Sequence, residues 1–340
     1  MRIERKESIK LISDTDFLDL AQMANNIRFK KFGKTTTFII DRNINYTNIC
    51  QNECDFCAFY RRKNQKSAYL LSHEEIIEKV REAVEAGATQ VMIQGGLNPE
   101  LTLGYYETML RLIKSQFNIT IHSFTATEIQ YFAKQEGLST LETLKRLREA
   151  GLDSLPGGGA EILVDEVRKK VSPKKISSYD WLNVMKAAHS IGMKSTATMV
   201  IGFGETMEQR IEHMEKIRNL QDETGGFRAF IMWSFQPGNT KLGGEKVSSL
   251  DYMKTLALSR IYLDNIEHIQ GSWVTQGERI GQLTLGFGAD DLGSIMLEEN
   301  VVKAAGTSYE MSIQKMVDLI KNTGCIPAQR DTEYKILKTF

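Results

Sequence analysis

Along most of the chain, short runs rich in apolar and β-branched residues alternate with longer segments whose apolar residues recur three and four apart. This alternation is the tightest constraint on the fold, because repeated strand–helix units build a parallel sheet with helices packed over it. Eight strand-like runs can be read: TTFIIDRNINY from Thr36, QVMIQGG from Gln90, ITIHSFTA from Ile119, DSLPGGG from Asp153, KSTATMVIGFG from Lys194, FRAFIMWSFQP from Phe227, IQGSWV from Ile269 and a weaker LTLGFGADDLGSIM from Leu283. Between them, segments such as HEEIIEKVREAVEAG and TMEQRIEHMEKIRNLQDETGG carry a helical period and end in glycine, a common helix stop.

Eight strands interleaved with helices predict an α/β fold of the closed (β/α)8 TIM-barrel type, with its chemistry at the C-terminal ends of the strands. Residues 1–34 read as a helical N-terminal extension and residues 35–340 as the barrel, with a closing helix over SYEMSIQKMVDLIKNTG. The unusual residues then gather on one rim. Cys50, Gln94 to Gly96, His122 to Thr125, Gly157 to Glu161, Gly202 to Glu205, Gln236 to Asn239 and Trp273 to Gln276 each follow an expected strand.

With 43 basic and 43 acidic residues the formal charge is zero, which leaves no broad footprint for nucleic acid or an acidic membrane surface. No apolar run approaches the roughly eighteen residues of a membrane span, and MRIERKESIKLISD lacks the apolar core of a signal peptide. The expectation is a cytoplasmic protein with a small-molecule substrate and neither nucleic acid nor membrane as partner.

Three of the four cysteines fall in NYTNICQNECDFCAFYRR, spaced Cys50-x3-Cys54-x2-Cys57. A closed zinc site needs four Cys or His ligands, usually in two separated pairs. No histidine lies between Cys50 and His73, and Cys325 is far away in sequence. A cubane iron–sulfur cluster takes one thiolate per iron, so three cysteines leave one iron open. Incidental buried cysteines are the bland alternative.

Glycines mark two further rim segments. Gly95 and Gly96 in QGGLNP permit close backbone approach, either to a ligand or simply in a tight turn. In LPGGGAEIL, Glu161 lies near a helix start, where it either accepts ribose hydroxyls or answers the helix dipole. Glu205 in GFGET binds ribose or caps a helix; the sequence does not separate these.

The CxxxCxxC spacing after the first barrel strand resembles the defining motif of the radical S-adenosylmethionine (SAM) superfamily. NINYTNICQNECDFCAFYR, QGGLNP, GLDSLPGGGAEIL, RKKVSPKKIS, QDETGGFRAFIMWSFQPGNT, DNIEHIQGSWVTQG and GADDLGSIMLEENVVKAAG together resemble the dehypoxanthine futalosine cyclase family of the futalosine menaquinone pathway, over roughly residues 35–330. The resemblance implies a 4Fe-4S cluster on Cys50, Cys54 and Cys57, with SAM on the fourth iron. It further implies SAM contacts from Phe56, Gln94, Gly95, Gly96 and Glu161. In that family a 5′-deoxyadenosyl radical removes the ribose C4′ hydrogen of dehypoxanthine futalosine, and the carbon radical attacks the attached benzoate ring. An external one-electron donor such as flavodoxin or ferredoxin is implied as partner.

For the substrate, the strand ends offer Arg279, His122, Thr125, Trp273, Thr275 and Gln276, with Arg279 suited to a bidentate carboxylate contact. Arg228 begins its strand and is expected at the wrong end of the barrel. Asp290, Asp291, Glu298 and Glu299 are candidates for the late proton acceptor, with nothing in the spacing to choose among them. By that resemblance Phe203 stands where several relatives carry a histidine, and Glu53 and Asp55 place carboxylates inside the cysteine loop. The alternatives are an aminofutalosine synthase, which would build the adenosyl fragment into its product, and a structural iron–sulfur or metal-binding protein, which would need four protein ligands.

Overall fold

The computed structural model describes residues 2–340. The first strand-like run is a single extended stretch that serves two sheets, as β1 (Thr35–Ile39) and β2 (Asp41–Asn45). β3 (Gln90–Gln94), β4 (Thr120–Ile121), β5 (Ser195–Ile201), β6 (Phe227–Ser234), β7 (His268–Gln270) and β8 (Asp291–Ser294) follow in chain order. β2 pairs in parallel with β3, and β3 with β4. Single parallel bridges, His122 with Ser154 and Leu155 with Ser195, carry the ring across to β5. β5 to β8 pair in sequence, and β8 returns to β1 through Thr37 opposite Asp291. The expected closed eight-position barrel is therefore present.

Two of the expected strands are shorter than read. DSLPGGG contributes only the bridging residues Ser154 and Leu155, because its glycines turn the chain away. The first half of LTLGFGADDLGSIM is helical, and extended pairing begins only at Asp291. The strands that alternate little, such as STATMVI, are buried nearly throughout, as expected where helices cover the outside and side chains fill the inside.

Helix starts follow the sequence closely. Ser72 with Glu75, Thr125 with Glu128, Ser139 with Glu142 and Thr206 with Gln209 form reciprocal capping boxes. At the N-terminus the helices Arg5–Asp14 and Phe17–Phe32 lie on the outside of the barrel, where Leu20 and Ala24 are buried and Phe17 packs on Phe287 with ring centroids 4.9 Å apart. The closing helix spans Ile313–Lys321, and Ser312 caps it by accepting the Lys315 N–H.

A hairpin not anticipated from the sequence follows that helix: β9 (Ile326–Arg330) and β10 (Ile336–Thr339). β9 runs parallel to β1, and β10 antiparallel to β9. The turn between them crosses the N-terminal end of the barrel. Arg330 there holds both oxygens of Asp291, at 2.6 and 3.1 Å, and the Thr332 hydroxyl donates to Gln90 Oε1 at 2.9 Å. Among the described residues, no helix is long and apolar enough to cross a membrane.

Candidate active site

The chain leaving β2 forms a long loop that places Cys50, Cys54 and Cys57 over the C-terminal mouth of the barrel. The loop is tied down on every side. The Cys50 N–H donates to Arg61 O at 3.1 Å, the Gln51 N–H to Leu97 O at 3.1 Å, and the Asp55 N–H to Val171 O at 3.0 Å. Arg61 gathers the carbonyls of Ala58, Phe59 and Tyr60 on one guanidinium nitrogen, at 2.8 to 3.3 Å. Glu53 and Asp55 point away to partners: Glu53 accepts from Arg62 at 2.7 Å, and Asp55 lies 3.8 Å from Lys241.

All three thiols are free and line one cavity of about 290 Å³. Burial pushes the Cys54 thiol up to about 12 and raises that of Cys57. Among the described residues no group of three His, Cys, Asp or Glu side chains is arranged to hold a single metal ion. Thiolates that each take a different iron of a cubane need not converge on one point, so an all-sulfur set spread around a cavity suits a cluster better than a lone cation. Cys325 is elsewhere, 3.3 Å from the Arg28 guanidinium.

The glycine segments form the adjoining wall. A Cβ on Gly95 would fall 2.5 Å from the Tyr46 ring, and one on Gly96 would fall 2.2 Å from Ile49 O. Their N–H groups are taken by Glu128 and by Thr47 O, so only carbonyl oxygens remain to meet a ligand, and these suit an ammonium group. Across the cavity, Glu161 sits at a left-handed φ of 42° after the glycine run. One of its oxygens pairs with buried Lys175, whose ammonium lies 5.1 Å from the Phe56 ring centroid. The other, Oε2, is buried without a partner. A buried acceptor left open beside a ligand-sized cavity is where hydroxyl donors of a ligand would be satisfied.

Phe56, Gln94, Gly95, Gly96, Glu161, Thr125 and Thr275 join the cysteines on the cavity wall. Several expected residues lie elsewhere. Arg279 is exposed on the short helix Glu278–Leu283 and does not line the cavity. His122 is buried against Ser154, 2.6 Å away, and burial together with the charges of Arg228 and Arg330 drives its pKa well down. Trp273 turns its indole N–H onto Ser294 O at 2.9 Å and fills core volume. Gln276 is used by Ser234, at 2.6 Å.

Three of the four candidate proton acceptors are also committed elsewhere. Asp290 holds Arg260 and His268, Asp291 holds Arg330, and Glu298 holds Arg42 and Lys79. Glu299 does line the cavity, accepting the N–H groups of Val301, Val302 and Lys303 at 2.8 to 2.9 Å. Glu205 neither caps the helix, which Thr206 does, nor lines the cavity: its carboxylate accepts from Gly202 and Phe203 in its own turn and pairs with Arg210. Arg228 pairs with Glu333 near the hairpin, at the end expected.

Sequence reasoning missed Glu128, Lys175 and Asn43. Glu128 was visible as the closing glutamate of a T-x-x-E capping box, but its reach to Gly95 is a long-range contact. Asn43 faces the cavity two residues before Asn45, as strand alternation requires, and its Oδ1 is buried without a partner. Phe203 packs between Phe56 and Phe235, with ring centroids 5.3 and 5.2 Å away.

The family model described as Radical SAM superfamily matches residues 44–217, and the one described as CofH/MqnC C-terminal region matches residues 224–340. Cyclic dehypoxanthine futalosine synthase of Halalkalibacterium halodurans is 47% identical over all of this chain and 92% of its own length. The protein of the same name from Streptomyces coelicolor is 44% identical, over 99% of this chain and 86% of its own. Among solved structures, methylornithine synthase superposes with a TM-score of 0.77 at 20% identity, covering 96% of this chain and 95% of its own, a likeness of fold. With its family-model match, its full-length relatives and its barrel, the chain belongs to the radical SAM superfamily, in the branch that carries the CofH/MqnC C-terminal region.

Proposed function

We propose that this protein cyclises dehypoxanthine futalosine to cyclic dehypoxanthine futalosine in menaquinone biosynthesis, as a radical SAM enzyme of the cytoplasm supplied with electrons by a flavodoxin or ferredoxin. The observation that carries the reading is the set of three free thiols, without a fourth, on the wall of one barrel-mouth cavity that also holds an unpartnered buried carboxylate oxygen. Full-length identity to relatives named for that activity supports the choice of reaction.

When bound, the cluster and SAM supply one-electron cleavage of the sulfonium and a 5′-deoxyadenosyl radical that takes the substrate's ribose C4′ hydrogen. The chain's own residues then act by position. Cys50, Cys54 and Cys57 hold the cluster. The carbonyls of Gly95 and Gly96 accept from the methionyl ammonium, and Glu161 Oε2 accepts from ribose hydroxyls. Phe56, backed by Phe203, forms an apolar edge beside the adenine. Thr125, Thr275, Gln94 and Asn43 line the floor with neutral donors and acceptors that orient the substrate without placing a charge beside it. Holding C4′ within reach of the radical carbon and keeping water out is the main work of such a site.

The test is anaerobic turnover of the reconstituted protein with SAM, a reductant and dehypoxanthine futalosine. The expected result is free 5′-deoxyadenosine accumulating together with cyclised substrate. Absence of deoxyadenosine, or its incorporation into the product, overturns the assignment.

A further inference from the structure

A second recess, of about 470 Å³, opens beside the cavity and shares Asn45, Asn48 and Phe59 with it. The short helix Val301–Ala304 is the partition: Val301 and Val302 face the cavity, Lys303 and Ala304 the recess. The two compartments differ in charge. Among the described residues, the only cation lining the cavity is Lys175, which Glu161 already neutralises. The recess is lined by Arg61, Lys79 and Lys303 against one carboxylate, Glu298.

That carboxylate is itself spent, accepting from Arg42 at 2.7 Å and from Lys79 at 2.8 Å. Arg61 and Lys303 are left without an ion-pair partner among the described residues. Arg61 uses Nη1 on three loop carbonyls and Nε on Ser67, and neither bond cancels its charge. Lys303, exposed at the rim of the recess, makes no ion pair among the described residues, although Glu299 on the cavity side offsets part of its charge. Phe59, on the border, offers an apolar face between the two compartments.

We propose that this recess is a carboxylate subsite: it takes the anionic end of an aromatic carboxylate whose reacting part lies in the cavity, with Lys303 as the pairing cation and Phe59 beside the ring. The proposal rests on the reading above that the substrate bears a benzoate. It also explains how a cavity whose one cation is already paired would select an acid, since the charge is met outside the reaction zone and the cation stays away from the radical.

Two measurements separate this subsite from the reaction assignment. In the first, benzoate is titrated into the holoprotein by ligand-observed NMR, with benzamide as the uncharged control. Benzoate is expected to bind, benzamide to bind at least about tenfold more weakly, and Lys303→Gln to remove the difference, as loss of one charge-assisted contact implies. Lys303→Arg is expected to keep it. Equal binding of benzoate and benzamide, or benzoate binding unaffected by Lys303→Gln, overturns the subsite whatever the reaction proves to be.

In the second, KM for dehypoxanthine futalosine is expected to rise about tenfold in Lys303→Gln while kcat and the ratio of deoxyadenosine to product hold, the signature of lost uniform binding. An unchanged KM counts against the subsite. Failure of the unaltered protein to turn the substrate over counts against the reaction alone, because the benzoate titration stands independently.

Discussion

The carboxylate of Glu128 holds the amide of Gly95. Its Oε1 accepts that N–H at 3.0 Å and the Tyr46 hydroxyl at 2.9 Å, while its Oε2 accepts the Thr125 N–H at 2.8 Å and the Thr125 hydroxyl at 2.9 Å. Burial pushes the pKa of this carboxyl up, against the pull of the Thr125 and Gly95 donors. In Glu128→Gln one oxygen can still accept, but the amide NH2 meets donors. We expect a loss of about 1–3 kcal/mol in urea unfolding, with a raised KM for SAM as the Gly95 strand end loosens.

Gly96→Ala places a Cβ 2.2 Å from Ile49 O and 2.8 Å from Cys50 Cβ, so the cysteine loop must move. The expected outcome is a folded protein with lowered iron content after reconstitution. Retention of full iron with unchanged SAM binding would show the loop to be more pliant than its hydrogen bonds imply.

Cys50→Ala, Cys54→Ala and Cys57→Ala are each expected to lose iron and sulfide, whereas Cys325→Ala keeps both, because its thiol sits by Arg28 and not on the cavity. Iron and sulfide assays with the visible spectrum check this. Equal loss in Cys325→Ala would make it the fourth ligand and remove the open iron.

Lys175→Met leaves Glu161 buried with neither oxygen paired. Breaking a buried ion pair by removing one partner typically costs about 3–5 kcal/mol. Denaturant unfolding should show a loss of that order, largely restored in the double variant Lys175→Met, Glu161→Gln.

His213 is a neutral buried imidazole whose Nδ1 accepts the Leu163 N–H at 2.8 Å. Burial, helped by the charges of Arg168 and Lys216, lowers its pKa to about 3, and His189 is lowered to about 4. Below roughly pH 6.5 the unfolded chain therefore binds protons that the native state refuses. Stability present above that pH drains as pH falls, at ~1.4 kcal/mol per pH unit for each histidine, down to about 4 for His189 and about 3 for His213. His213→Gln should be less stable at pH 7 yet flatter by about one proton between pH 6 and 4, measured by unfolding at each pH.

How legible the molecule was in its sequence varied with the range of the interactions. Strands such as QVMIQ and FRAFIMWS announce themselves because β-branched and aromatic residues fill a layer covered on both sides. IPAQR and ILKT do not: the first carries a proline, and the second is exposed at every residue, so only pairing with β1 makes the hairpin. The cysteine spacing was readable because all three thiols sit in one loop. The substrate side was not, since following a strand says nothing about direction: Trp273 turned into the core and His122 toward Ser154, while Asn43 turned to the cavity.

The C-terminal hairpin gives the barrel a stopper. With Arg330 wedged against Asp291 and Thr332 latched to Gln90, the vessel has a single mouth, and anything reactive generated inside meets only what entered by that mouth. A chain shortened before Ile326 would keep every cysteine and yet lose the cover over that end of the barrel.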